Sequence, residues 1–182
     1  MMLTEKHLSV SAVFTTMGEF YVETGLNIIG MSDYKRILSL DSAMAVVQFK
    51  KDHVAYQRNY FISYPANVMV MRFSADQPGK QNLVFSYAPN PVSTGNMASD
   101  GNKGLVYSAS LDNNGMKYIV RIQAETKGGT LSNADGKLTV KGADEVVFYI
   151  TADTDYKPNF DPDLKIRRRM WVSIRKKQPG NG

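Results

Sequence analysis

The sequence contains no cysteine, two histidines and one tryptophan among its 182 residues. Because the chain has no thiol, it cannot form disulfides or zinc–thiolate sites, and it has no cysteine nucleophile. His7 and His53 have no partners at ligand or triad spacing, so a zinc site or a Ser-His-Asp triad lacks its parts. His53 is expected in the turn of a hairpin at Lys50–His53, as a solvated side chain. The sequence therefore predicts no cofactor and no thiol or imidazole site.

Long hydrophobic runs are also absent. No segment approaches the roughly 20 apolar residues that cross a bilayer, and the first residues lack a signal-peptide run. The chain as written is expected to be cytoplasmic and to contact no membrane.

The excess of basic over acidic side chains lies at one end of the chain. Residues 164–182 hold seven basic side chains and no acidic one, so residues 1–163 carry −2 of the total net charge of +5. Arginines with a tryptophan, as in Arg167–Trp171, could contact phosphates and stack on bases. No basic face is implied for the rest of the chain, and no nucleic-acid partner is predicted.

Apolar alternation dominates residues 17–156 and predicts strands separated by turns. Lys117–Glu125 places Tyr118, Val120, Ile122 and Ala124 on one face, and the two-residue period recurs at Leu83, Phe85 and Tyr87 and at Ala45, Val47 and Phe49. Val68–Met71 is apolar on both faces, which is typical of a central strand. Turn residues follow at 112–115, 134–136, 76–79 and 141–144. About ten short strands without helices predict a single all-β domain, an antiparallel β-sandwich.

Two regions are candidates for binding. Ala88–Gly104 is rich in Pro, Ser, Asn and Gly and is expected to be a long loop, either functional or mobile, with mobility favoured. Exposed rings could stack on sugars, and the available tyrosines are Tyr21, Tyr56, Tyr60, Tyr64 and Tyr87. Because several alternate with aliphatic residues, packing in the core is favoured over a binding platform.

An acidic cluster lies near the end of the strand region. Asp153, Asp155, Asp161 and Asp163 have a spacing that could surround calcium, but the glycine turn and terminal glutamate of an EF-hand loop are missing. A solvated connector is the favoured interpretation, so no metal site is predicted. Gly128 and Gly129 match neither phosphate-binding fingerprint.

Four segments carry a resemblance to a known family. They are Met17-Gly-Glu-Phe-Tyr-Val-Glu-Thr-Gly25, Tyr34-Lys-Arg-Ile-Leu-Ser-Leu-Asp-Ser-Ala43, Tyr56-Gln-Arg-Asn-Tyr-Phe-Ile-Ser-Tyr-Pro65 and Tyr156-Lys-Pro-Asn-Phe-Asp-Pro-Asp163. Together with Val68–Ala75 they resemble the N-terminal β-domain of glycoside hydrolase family 95, the bacterial α-L-fucosidases and their α-galactosidase relatives.

This resemblance implies a super-sandwich that packs on an α/α-barrel catalytic domain. The catalytic residues of such enzymes lie in that barrel, so none is carried over to this chain and its substrate-binding residues stay unknown. The chain is expected to be a non-catalytic accessory domain whose parent enzyme is periplasmic or secreted. A stand-alone carbohydrate-binding module that takes a glycan is the alternative.

The resemblance ends at Asp163. Codons that encode residues 165–182 can, in another reading frame, spell Asp-Pro-Lys-Thr-Tyr-Val-Gly-Val-Asn-Pro, which is similar to the family's continuation. We therefore divide the chain into a β-sandwich domain, residues 1–163, and an out-of-frame basic tail, residues 164–182. The family's first strands are expected to be missing as well, and a homodimer through the exposed sheet edges is predicted.

Overall fold

The computed structural model describes residues 16–156. This range forms twelve strands and no helix, which confirms the all-β prediction. The strands are β1 Gly18–Glu23, β2 Ser32–Ser39, β3 Met44–Lys51, β4 Val54–Ser63, β5 Val68–Ala75, β6 Gln81–Pro89, β7 Ser93–Ser99, β8 Gly104–Leu111, β9 Lys117–Lys127, β10 Thr130–Ala134, β11 Lys137–Ala143 and β12 Glu145–Thr154.

The strands form two antiparallel sheets of unequal width. The small sheet has the order β1-β6-β11-β10, and the large sheet has the order β2-β3-β4-β5-β12-β9-β8-β7. Contacts between the sheets run mainly from β6 to β5 and from β11 to β8 and β9. The small sheet therefore covers one half of the large sheet, and β2, β3 and β4 extend past it.

The main core lies between the small sheet and the covered half of the large one. Phe148 is fully buried, with its ring 4.5 Å from that of Phe85 and 6.0 Å from that of Phe73. The sequence predicted by alternation that Leu83, Phe85 and Tyr87 on β6 share one face, as do the four apolar residues of β9. All of these side chains are buried in this core. β5 is a central strand, as predicted from Val68–Met71.

A second, smaller core lies under β3 and β4. Phe49, Val54 and Tyr56 are buried there beneath Leu26 and Met31 of the connection between β1 and β2. The guanidinium carbon of Arg58 lies 5.1 Å from the centre of the Phe49 ring. This connection covers one end of the β3–β4 hairpin and leaves the other end open.

Tight turns confirm two of the sequence predictions. Asp52 and His53 both have positive φ between β3 and β4, and Asp135 and Gly136 do so between β10 and β11. Two consecutive positive φ values are those of a type I′ hairpin turn, which Asp and Gly tolerate. His53 is exposed in its turn, as expected.

Two segments differ from the predictions. Ala88–Gly104 is not a long loop, because Ser93–Ser99 forms edge strand β7 and pairs with β8 along its length. Its small polar side chains have low strand propensity, but its backbone pairs with β8, and Gly95 lets the two strands approach closely. Residues 141–144 are not a simple turn either: Lys141–Ala143 stays in β11, which has an irregular register between Val140 and Ala143.

Candidate functional site

Most residues proposed from the sequence have structural roles. Asp155 accepts a hydrogen bond from the Lys117 amide, at 2.8 Å, and so joins the end of β12 to β9. Asp153 accepts a bond from the amide of Thr154. Asp161, Asp163 and His7 lie outside the described residues. Among residues 16–156 no group of three or more His, Asp or Glu could hold a metal ion, and no helix is long and apolar enough to cross a membrane.

The tyrosines divide into two groups. Tyr56 and Tyr87 are buried, and Tyr60 packs against the core with its ring edge-on to Phe73. Burial raises the pKa of all three hydroxyls above the ordinary value. Tyr21 and Tyr64 are exposed but lie on different elements, β1 and the β4–β5 turn. The packed interpretation therefore holds for the three tyrosines that the core needs.

Two of the described carboxylates, Asp33 and Glu145, are poorly suited to act as the acid of a glycosidase. Such enzymes need two facing carboxyl groups, one of them an acid whose pKa is raised. Here the Lys50 ammonium, 2.8 Å away, lowers the pKa of Asp33, and the Arg72 guanidinium lowers that of Glu145. Both shifts oppose general-acid chemistry at neutral pH.

The uncovered half of the large sheet presents an apolar surface on its inner face. Strand register places Met71, Tyr60, Ala45 and Leu38 in one row across β5, β4, β3 and β2. Met71 is buried, Tyr60 and Ala45 are half-buried, and Leu38 is 69% exposed. Ile62 lies on the same face and is also 69% exposed. We call Leu38, Ala45, Tyr60 and Ile62 the apolar shelf.

The apolar surface continues onto one end of the sandwich. The β2–β3 turn at 40–43 and the β4–β5 turn at 64–67 lie at the same end, and they expose Leu40 by 84% and Tyr64 by 93%. β12 runs toward this end, since Ile150 pairs with Met69 and Thr154 lies four residues further on. β12 therefore ends at the same end of the large sheet as these side chains, and we call this the exit end.

A groove of mixed polar and apolar lining lies on the opposite, outer face of β3, β4 and β5. It is open and has a volume of about 600 Å³. By strand register most of its lining lies on the outer face and is polar apart from Ala55: Asp33, Lys35, Gln48, Lys50, Gln57, Ser74 and Asp76. Phe49, Tyr56 and Ala75, whose side chains belong to the inner face, also line it. We call it the outer groove. Sequence reasoning missed it, because it is assembled from strands whose outer polar residues look individually like ordinary solvated positions.

Comparison with known proteins assigns the fold to a family. The model of the family described as "Glycosyl hydrolase family 65, N-terminal domain" matches residues 1–159. The chain is similar to "Probable alpha-fucosidase A" of Aspergillus niger, with 32% identity over 68% of this chain, and to "Alpha-L-fucosidase 2" of Arabidopsis thaliana, with 24% identity over 71% of it. These alignments cover only 16% and 18% of the two relatives.

A solved structure agrees at the level of the fold. It is described as "Putative kojibiose phosphorylase from human microbiome", with a TM-score of 0.51 and 12% identity over 75% of this chain and 22% of that one. The expected N-terminal glycoside hydrolase β-sandwich is thus confirmed, whereas the narrower choice of family 95 stays a prediction. The chain, matched over residues 1–159, belongs to the family of glycosyl hydrolase family 65 N-terminal domains.

Proposed function

We propose that this chain is the non-catalytic N-terminal domain of a longer α-L-fucosidase-like enzyme of family 95. In this proposal the exit end and the apolar shelf dock on an α/α-barrel catalytic domain that follows in the parent. The observation that carries the proposal is the coincidence of two features: large apolar side chains are exposed at the end of the sandwich where the last described strand, β12, stops.

The exposed apolar area at the exit end and on the apolar shelf favours docking. Isolated exposed leucines are normal, but neighbouring ones in a row beside a packed core indicate a contact surface. Covering a leucine or tyrosine side chain contributes about 1.5–3 kcal/mol at full burial. Leu38, Leu40, Ile62 and Tyr64 together can therefore anchor a partner, and a catalytic domain joined to the chain beyond Tyr156 would reach them first.

The alternative function, a stand-alone carbohydrate-binding module that uses exposed tyrosines or residues 88–104, has less support. The buried rings of Tyr56 and Tyr87 cannot stack on a sugar, and residues 93–99 are paired as β7. The outer groove is the remaining feature that favours it.

Hydrolysis of an aryl α-L-fucoside tests the non-catalytic assignment. We expect the purified 182-residue protein to release no aryl alcohol above the buffer rate, since in this proposal the catalytic carboxyl groups belong to the barrel domain of the parent enzyme. Turnover that co-purifies with the protein and is lost on its heat denaturation would contradict the proposal.

Sequencing the coding DNA past the codon for Gly182 tests the parent assignment. We expect another frame to continue with an Asp-Pro-Lys-Thr-Tyr-Val-like segment and a helical-barrel sequence. If no frame encodes such a domain, docking on a fused catalytic domain is refuted.

A further inference from the structure

We propose that the outer groove is a binding site for a neutral saccharide. It lies on the face of the large sheet opposite to the apolar shelf, so a sugar there and a protein domain on the shelf do not compete. The site goes beyond the proposed function, and either can fail without the other.

An oriented row of amides starts in the groove, with Gln48 and Gln57 in its lining, and ends beyond it at Asn59. Gln48 Nε2 donates to Gln57 Oε1 at 2.9 Å, and Gln57 Nε2 donates to Asn59 Oδ1 at 2.9 Å. Asn59 in turn lies against the sulfur of Met44. Each amide carries two N–H donors and an oxygen with two lone pairs. The row therefore holds the amides in place while keeping donors and acceptors for a ligand with several hydroxyl groups.

Charge balance argues for a neutral ligand. The groove contains two cations, Lys35 and Lys50, and two anions, Asp33 and Asp76. Lys50 pairs with Asp33 at 2.8 Å, and Asp76 accepts the amide of Ala55 at 2.9 Å. With formal charges that cancel, the groove steers neither anions nor cations. Hydroxyl groups, which donate and accept, suit this lining better.

Shape and lining set the strength of binding. The volume of about 600 Å³ lies within the range of about 300–1,000 Å³ that is usual for small-molecule sites. The groove is open, however, and the rings of Phe49 and Tyr56, which also line it, are buried against one another, 5.2 Å apart. Without a stacking ring, binding depends on hydrogen bonds that compete with water, and we expect it to be weak.

Chemical-shift mapping tests the site directly. The ¹⁵N-labelled full-length protein is titrated with 2′-fucosyllactose, with lactose, and with sodium glucuronate as a charged probe. We expect saturable shifts at Gln48, Gln57 and Ser74 with the two neutral sugars and smaller shifts with glucuronate. Three results would overturn the proposal. They are shifts on the apolar shelf instead of the groove, no shifts at the highest sugar concentration, and larger shifts with glucuronate than with the neutral sugars.

A matched pair of glutamine variants separates the groove from the sheet. Gln57→Leu removes the central amide, and we expect sugar binding to weaken about tenfold. Gln123→Leu changes the same residue type on the same sheet face but on β9, outside the groove, and should bind like the parent chain. Equal effects of both variants would overturn the proposal, and Ser74→Ala supplies a second groove variant if Gln57→Leu does not fold.

Discussion

At the scale of single residues, Phe148 joins the two sheets. Its side chain is fully buried and its ring packs on Phe85 of the small sheet and Phe73 of the large one. We expect Phe148→Ala to lower the free energy of unfolding by about 3–5 kcal/mol in chemical denaturation, because it leaves a cavity. Thr151→Ala, on the outer face of the same strand, should cost less than about 1 kcal/mol. A cost below that value for Phe148→Ala would contradict this picture of the core.

Glu145 gives the fold a small dependence on acid. The Arg72 guanidinium lowers the pKa of this carboxyl below its ordinary 4.5, so the ion pair stabilises the folded state above that pH and the effect is lost as the pH falls. Both side chains are partly exposed, which limits the contribution to less than about 1 kcal/mol. We expect Glu145→Gln to lower the melting temperature slightly at pH 7 and not at pH 3. An equal shift at both values would show that the charge is not involved.

At the scale of elements, β7 depends on one glycine. A Cβ on Gly95 would lie 2.4 Å from the Cβ of Ala109 and 2.6 Å from the carbonyl oxygen of Ser108 on β8. Gly95→Val should therefore push β7 away from the sheet, at a cost of about 1–3 kcal/mol, and speed hydrogen exchange in β7 and β8. Asn96→Val changes the exposed neighbouring position and should leave the exchange unchanged. Protected β7 amides in the glycine variant would refute this.

Local patterns predicted the elements whose own side chains decide their structure. β6 and β9 alternate because one face of each lies in the core, and Asp-Gly at 135–136 marks its hairpin from two residues alone. β7 could not be predicted in this way, because Ser, Thr, Gly and Asn pair there through the backbone, on the edge of a sheet formed by other strands. The outer groove could not be predicted for a similar reason, because Gln48, Gln57 and Ser74 become neighbours only through the register of β3, β4 and β5.

The sequence predicted the burial of some tyrosines but not of others. Tyr56 and Tyr87 alternate with apolar residues, so packing was the expected result. Whether Tyr60 and Ile62 are covered depends on the width of the opposite sheet, which no local pattern encodes. The apolar shelf was therefore visible only once the strand order was known.

At the scale of the whole molecule, the exit end should control self-association. With Leu40 and Tyr64 exposed at one end, we expect the protein to form a concentration-dependent oligomer in sedimentation experiments. The double variant Leu40→Ser/Tyr64→Ser should shift it toward the monomer, whereas Ile28→Ser, exposed by 79% near the other end, should not.

Sheet edges are the competing route to a dimer. β2 is poorly suited to pairing, because it carries Lys35 and Arg36 and has an irregular register near Asp33. The uncharged edge strand β7 is the better candidate. If the exit-end variants still associate while Thr94→Lys on β7 does not, the edge prediction is the correct one.

β1 begins and β12 ends at the same end of the sandwich. Met17 and Asn90 are hydrogen-bonded where β1 begins, and Asp155 is held to Lys117 where β12 stops. A pulling force applied through the two ends would thus load the hydrogen bonds of β1 with β6, and those of β12 with β5 and β9, one pair after another from the outside inward. The domain would open like a zipper under tension instead of resisting as a shear clamp, and a tether pulled in an optical trap should extend it at low force.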